Sequence, residues 1–305
     1  MHTAYHEPTL TESNWQVPNI ILRLKLRMLI IKEGNMCSKL FSVCLTSMHK
    51  SGKMTLKMSI ACLYLLILSL SVAHAKTLTI GIPPFSPPFV MKADNQNHFI
   101  GFSMDIMEMI CKRLQVTCKY QPIIFDQAFS KLIDNSIDIA IGSFTITPER
   151  EEEVLFSLPY LQSHAAFITL ETNSIKSIDE LKSKTIGVEK DSIFVNYLEQ
   201  KFGNSVKIKT YQTIPDIMFA MSDNDIDAAI FDKETVDFWL GNNYDMFKLV
   251  GNPIPLGLGI GIMTNKMNNA LIAQINQSLL NMEADGSYLK IYNNYFGSTS
   301  HIPTP

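Results

Sequence analysis

Two stretches of this chain read alike, and the likeness constrains the fold more than any other feature. Asp134-Asn-Ser-Ile-Asp-Ile-Ala-Ile141 and Asp223-Asn-Asp-Ile-Asp-Ala-Ala-Ile230 each carry a polar turn, an aspartate and a short apolar run. That is the pattern of a helix end, a turn and a buried strand. What precedes each stretch is also alike. Thr77–Ile82 alternates and is rich in β-formers. Gly101–Leu114 places Phe102, Ile106, Met109 and Ile110 at helical spacing. Thr117–Ile124 reads as a strand, Phe125–Ile133 as a helix and Ile137–Ile141 as a buried strand. In the second half Thr185–Val188, Ile193–Phe202, Val206–Thr210, Ile214–Met221 and Ile226–Phe231 repeat strand, helix, strand, helix, strand. Two β-α-β-α-β units predict two doubly wound α/β sheets, which take ligands at the carboxyl ends of their strands.

The remainder fits around these units. Thr147-Pro148 is a helix cap with Pro at the first helical position, and Ser177-Ile-Asp-Glu180 has capping-box spacing. A helix is expected from Asp232 through Trp239. Gly257–Met263 reads as a Gly-rich strand, and Asn268–Asn281 and Tyr288–Tyr295 as the last helices. The Gly-x-Gly-x-Gly of that strand opens no helix at nucleotide-binding spacing, so a dinucleotide site is rejected. Residues 298–305 are expected to be a disordered tail.

Residues 54–75 have the layout of a secretory signal: Lys57, an apolar run from Ile60 to Val72, and Ala73-His74-Ala75 for cleavage. The run is short for a membrane span, the alternative reading. Residues 1–53 lie upstream and are read as an extension of the reading frame, with Met48, Met54 and Met58 as candidate starts. From Lys76 onward the chain holds 18 Lys/Arg against 26 Asp/Glu. An acidic body without a basic cluster excludes nucleic acid as partner, because phosphate binding needs a basic face. Three of the five cysteines (Cys37, Cys44, Cys62) precede the cleavage site. In an exported chain the remaining pair, Cys111 and Cys118, reads as a disulfide, with two buried thiols as the alternative. No metal site is expected, since neither has further ligands at metal spacing, and no cofactor is called for.

Four stretches resemble the extracytoplasmic amino-acid-binding proteins of bacterial ABC importers, solute-binding protein family 3 of the arginine-, histidine- and glutamine-binding type. They are Pro87-Pro88-Phe89 with Gly101-Phe-Ser-Met-Asp105; Cys111-Lys-Arg-Leu114 with Cys118; Ile137 to Arg150 running on to Phe156-Ser-Leu-Pro-Tyr160; and Ile226 to Asp232 followed by Gly257-Leu-Gly-Ile260 and Gly286 to Phe296. The likeness covers about 76–297, and the third stretch is the most specific. It implies two α/β lobes joined by two hinge strands, the type II periplasmic binding protein architecture. Lobe I would be 76–165 plus 257–297 and lobe II 166–256. It further implies a monomer in the periplasm that captures a free polar or basic L-amino acid between its lobes and delivers it to a membrane-embedded ABC permease.

An α-amino acid presents a carboxylate and an ammonium. Arg150 matches the carboxylate with a planar fork; otherwise it is an exposed arginine pairing with Glu151–Glu153. Gly142, Ser143 and Thr145 offer backbone and hydroxyl groups at a strand end, or form an ordinary turn. Asp232 ends the second buried strand and would pair with the ammonium on closure, or cap the following helix. Amides of Ser192 and Ile193 at a helix N-terminus would add to carboxylate binding; Asp191 stands where the family usually has Gly. Phe85 and Phe125 would pack on the ligand side chain, or belong to the core. Relatives that bind cationic side chains usually place an acid in the first loop, and Ile82-Pro-Pro-Phe-Ser-Pro-Pro-Phe89 has none. Glu189 and Asp126 are the other sources of negative charge.

The competing class is a periplasmic enzyme on the same fold, of prephenate or arogenate dehydratase type. The pairing of Arg150 with Asp232 favours an amino-acid ligand without catalysis, and His98, His164 and His301 lie in no catalytic motif. A receptor sensor domain or a lytic transglycosylase would need a further domain after about 297 and is not expected.

Overall fold

A computed structural model describes residues 76–95, 98–243 and 245–297. The upstream extension with Cys37 and Cys44, the signal segment with Cys62, and the tail lie outside the described residues. The first part of the chain forms β1 (Thr77–Ile82), the small hairpin β2 (Met91–Lys92) and β3 (Phe99–Ile100), α1 (Phe102–Leu114), β4 (Thr117–Pro122), α2 (Gln127–Ile133), β5 (Ile139–Ala140), α3 (Pro148–Glu153) and β6 (Val154–Phe156). The second forms β7 (His164–Leu170), β8 (Thr185–Glu189), α4 (Ile193–Phe202), β9 (Lys207–Tyr211), α5 (Ile214–Ser222), β10 (Ala228–Asp232), α6 (Lys233–Asn242) and β11 (Phe247–Pro255). The chain then returns to the first sheet with β12 (Met263–Asn265), α7 (Asn269–Ala284) and α8 (Ser287–Phe296).

The sheet orders are β4-β1-β5-β12-β6 and β11-β7-β10-β8-β9. In each, three strands are parallel (β4, β1, β5 and β9, β8, β10) and an antiparallel neighbour follows the third, β12 or β7. Helices pack on both faces of each sheet. The chain passes between the sheets twice, from β6 to β7 and from β11 to β12.

The sequence echo is a shared structural device. The Asp138 N–H donates to Thr79 O and its Oδ2 accepts from Thr79 N–H, both at 2.8 Å; Asp227 and Thr185 repeat both bonds at 2.8 Å. Asn135 and Asn224, in the turns before these aspartates, take left-handed φ of 59° and 60°, a conformation Asn tolerates better than most side chains. Gly81 and Gly187 sit at matching places in β1 and β8. A Cβ on Gly81 would stand 2.6 Å from the Cδ1 atoms of Ile123 and Ile137, and one on Gly187 would stand 2.3 Å from Ile226 Cδ1. Each aspartate therefore ties the third parallel strand to the first, and each glycine lets the flanking isoleucines close over it.

Five strands were not predicted: the two-residue β2 and β3, and β6, β7 and β11. In β7, Ala165 to Ile168 are all fully buried, so the strand lacks the alternation that betrays a half-exposed one. β11 is interrupted by an irregularity between Val250 and Ile254, with Gly251 at φ 68°. β6 has three residues. The Gly-rich strand expected over Gly257–Met263 is regular only from Met263. Gly257 and Gly259 take φ of 76° and 112°, which a strand does not allow, and Ile260 makes isolated bridges to Thr145 and Leu161. The capping-box segment opens a single 3-10 turn, Ile178–Leu181, in which Glu180 accepts from the Lys176 N–H at 3.0 Å.

Cys111 at the end of α1 is disulfide-bonded to Cys118 in β4, which decides against free thiols. Phe102, fully buried at the start of α1, meets the rings of Tyr160, Tyr288, Tyr292, Tyr295 and Phe296 with centroids 4.8–6.3 Å away. Those rings, four of them from α8, hold the last helix on α1.

Candidate functional site

The carboxyl ends of β1, β5, β8 and β10 face one another between the lobes. β1 leads into the first loop, where Ser86 and Val90 close a tight turn and Phe85 is half-buried. β5 leads into Gly142, Ser143 and Thr145. Gly142 is small because Pro83 leaves no room: a Cβ there would stand 2.9 Å from Pro83 Cδ. Its carbonyl accepts from Ser103 Oγ at 3.1 Å and from the Tyr160 hydroxyl. The Thr145 hydroxyl pairs with Ser163 Oγ at 3.2 Å, so that side chain is committed to the hinge region, and its carbonyl faces Arg150.

Arg150 lies in the first turn of α3. Thr147 caps that helix by accepting from the Arg150 N–H at 3.3 Å. The guanidinium is held on three sides. Nη1 donates to Thr145 O at 3.0 Å, Nη2 donates to Asp191 O at 3.1 Å, and Cζ lies over the rings of Phe125 and Phe129 at 5.5 and 5.3 Å. Phe125 is itself stacked on Phe144 at 4.7 Å, so it supports Arg150 as well as the core. Burial pulls the guanidinium down to about 10, against the attraction of Asp232 and Asp191; it stays charged at neutral pH. The contact to Asp191 crosses from one lobe to the other. Asp191 takes φ 58°, the left-handed conformation that a glycine would supply, so this departure from the family pattern keeps the loop's backbone.

Asp232 ends β10 with 6% of its surface exposed. It stands at the N-cap position of α6 without making a side-chain cap bond, and its Oδ1 is buried with no hydrogen-bond partner among the described residues. Burial and the neighbouring Glu234 push its carboxyl up to about 7, while Ser143 and Arg150 pull the other way. The capping alternative is therefore not what this side chain does. Ser192, also buried, turns back: its Oγ and N–H both donate to Glu189 O, at 2.6 and 3.2 Å. Ile193 begins α4 and contributes one of the first-turn amides that no intrahelical carbonyl reaches.

Three residues outside the expected set complete the junction. Lys190 Nζ pairs with Asp126 Oδ2 at 3.0 Å between the lobes. Thr235 Oγ1 donates to Pro87 O at 2.9 Å, tying α6 to the first loop. Glu234 is pushed up to about 6 by burial. A cavity of about 440 Å³ opens on one side of Arg150, lined by Thr147, Glu149, Arg150 and Lys190 to Ile193 and running on along Val195, Asn196, Tyr197 and Gln200 of α4; Asp232 and Ser143 do not line it. The sequence signal for Thr235 and Glu234 was only their position after Asp232.

Two α/β lobes on one crossover hinge, with a charged cleft between them, define the type II periplasmic binding protein class. The profile of the bacterial extracellular solute-binding proteins, family 3, matches residues 78–298, and the chain belongs to that family. It is 32% identical over 229 residues to the arginine-binding periplasmic protein of Mannheimia haemolytica, covering 74% of this chain and 93% of that one. Among solved structures it resembles an arginine third transport system periplasmic binding protein from Legionella pneumophila, with TM-score 0.70 and 36% identity over 73% of this chain and all of that one. It also resembles an ancestral arginine-binding protein bound to glutamine, with TM-score 0.68 and 32% identity over 73% and 98%.

Proposed function

We propose that this protein captures a polar or basic L-amino acid between its lobes and hands it to a membrane-embedded ABC permease, without catalysis. One observation carries the reading. Asp232, in one lobe, keeps a buried oxygen without a partner, and it lies in the field of an Arg150 guanidinium held ready in the other. An unpaired buried carboxylate oxygen is costly. A zwitterion that gives its ammonium to Asp232 and its carboxylate to Arg150 removes that cost and bridges the lobes. It thereby favours the closed arrangement over the open one. Gly142, Ser143 and the Ile193 amide would supply the remaining polar contacts and Phe85 and Phe125 the walls beside the ligand, while Thr145 and Ser192, whose polar groups are taken up by Ser163, Arg150 and Glu189 O, would hold the surrounding loops.

In this reading lobe I is 76–165 with 257–297 and lobe II is 166–256. The mature protein starts at Lys76 after cleavage behind Ala75, and works as a periplasmic monomer. The relatives' names as binding proteins support transport over the dehydratase alternative.

A thermal-shift panel of the L-amino acids on residues 76–305 tests this. Ligand at about a thousand times Kd stabilises by about 4 kcal/mol, a rise of about 8–16 °C for a chain of this size. A polar or basic L-amino acid should give such a rise, and its N-acetyl and amide derivatives should not. A shift with prephenate-type acids and none with amino acids would overturn the reading.

A further inference from the structure

Side chains join the lobes at the starts of two lobe II helices, and the two junctions differ in kind. Near the start of α4 both contacts use a charged donor, Lys190 to Asp126 and Arg150 to Asp191 O, and 46% of the Lys190 side chain is open to solvent. At the start of α6 the junction is neutral and dry. Thr235, fully buried, donates from Oγ1 to Pro87 O at 2.9 Å.

Both partners of the neutral junction are stiff. Four of the six residues 83–88 are proline, which fixes φ and removes amides. The neighbouring carbonyls of this loop are satisfied inside lobe I: Ser86 O accepts from the amides of Phe89 and Val90, while Phe102 and Ser103, at the start of α1, donate to Pro88 O and Phe89 O. Pro87 O takes its donor from lobe II instead. Thr235 lies in the first turn of α6, three residues after Asp232. That helix is fastened to lobe II by Val236, part of the lobe's core, and by Trp239 packed edge-on against Phe247 at 6.2 Å. One hydroxyl therefore connects a fixed loop of lobe I, two residues beyond Phe85, to a fixed helix start of lobe II that carries Asp232.

We propose that Thr235 is a positioning residue for ligand capture: its bond to Pro87 O registers Asp232 against the first loop when the lobes meet, and so slows release of the bound amino acid. The proposal rests on the amino-acid reading of Arg150 and Asp232. Thr235 spends its hydroxyl on Pro87 O, so it acts through Asp232 and the loop and treats every amino acid alike. Opening the lobes gives both groups to water. Closing them without the hydroxyl leaves Pro87 O buried without a donor, which costs more than the bond itself gains. Because the bond forms only once the lobes come together, its loss falls on dissociation and spares the encounter. Because it is neutral, salt has no charge to screen, in contrast to the Lys190–Asp126 pair.

Stopped-flow and calorimetric titration with L-arginine, L-histidine and L-glutamine, on the wild type, Thr235→Val and Thr235→Ser, tests this. Thr235→Val removes the hydroxyl at nearly constant volume. It should raise koff by about ten-fold or more, by the same factor for each amino acid that binds and at low and high salt, with kon within about two-fold. Thr235→Ser keeps the donor and should stay within about three-fold of the wild type. Circular dichroism controls for folding, and Thr235→Ala gives a second variant without the donor and with the same expected rise. An unchanged koff in the folded valine or alanine variant, a loss carried by kon, a serine variant as impaired as the valine one, or a changed ratio among the amino acids would overturn the inference and leave the amino-acid site standing. A wild type that binds none of the three would overturn both.

Discussion

Lys190 Nζ and Asp126 Oδ2 meet at 3.0 Å across the cleft, one from each lobe. The pair is partly solvent-exposed on the lysine side, so it steers and latches more than it stabilises. Because the pair joins the two lobes, replacing Lys190 by Gln should weaken amino-acid binding, by less than about five-fold, and the loss should shrink in high salt. Titration of both proteins at two ionic strengths reads this directly; tighter binding in Lys190→Gln would mean that the pair does not help to hold the lobes together.

The buried acids predict how pH acts on the ligand-free protein. In the closed cleft burial pushes Glu189 up to about 8 and Asp232 up to about 7, with Asp126, Arg150, Lys190, Asp191 and Glu234 as the charged neighbours. Opening the lobes hydrates these carboxyls and returns them toward about 4. Closure therefore takes up protons. It is favoured most below about 4 and loses that support as pH rises through about 7 to 8. Small-angle scattering should find the ligand-free protein more compact at pH 5 than at pH 8.5; the opposite order would contradict the burial of these groups.

The Cys111–Cys118 disulfide fastens the end of α1 to β4 across a short loop. In the chain-entropy account such a loop contributes about 2–3 kcal/mol, or a melting temperature lower by about 4–12 °C when both cysteines become serine. The cleft lies at the other end of the sheet, so amino-acid affinity should stay within about two-fold. Calorimetric melts of the double variant measure the first, and titration the second.

Much of this architecture is written in short-range signals. The Asp138 and Asp227 repeats announce themselves because each aspartate bonds the matching threonine of its own sheet, Thr79 or Thr185, and α4 runs over Ile193–Phe202 as its spacing implies. β7 and β11 escaped because a strand buried on both faces, or broken by an irregularity, has no period of two. The site divides the same way. Arg150 and Asp232 stood out as candidates from the motifs around them. The neighbours that fix their behaviour, Phe129 beneath the guanidinium and Thr235 bound to Pro87 O, come from packing between distant segments. Asp126 was visible as an acid in the sequence, but only the fold brings it against Lys190.

The central claim is that one amino acid bridges Arg150 and Asp232. Isothermal titration of the wild type and Arg150→Ala with the tightest-binding L-amino acid tests it most directly. Leaving the ligand carboxylate unpaired should cost about 3–5 kcal/mol, a loss of several hundred-fold or more. Asp232→Asn should lose less, because the amide oxygen still accepts a hydrogen bond, and both variants should keep the wild-type fold by circular dichroism. If Arg150→Ala binds that amino acid as tightly as the wild type, the ligand is held elsewhere and the account is wrong.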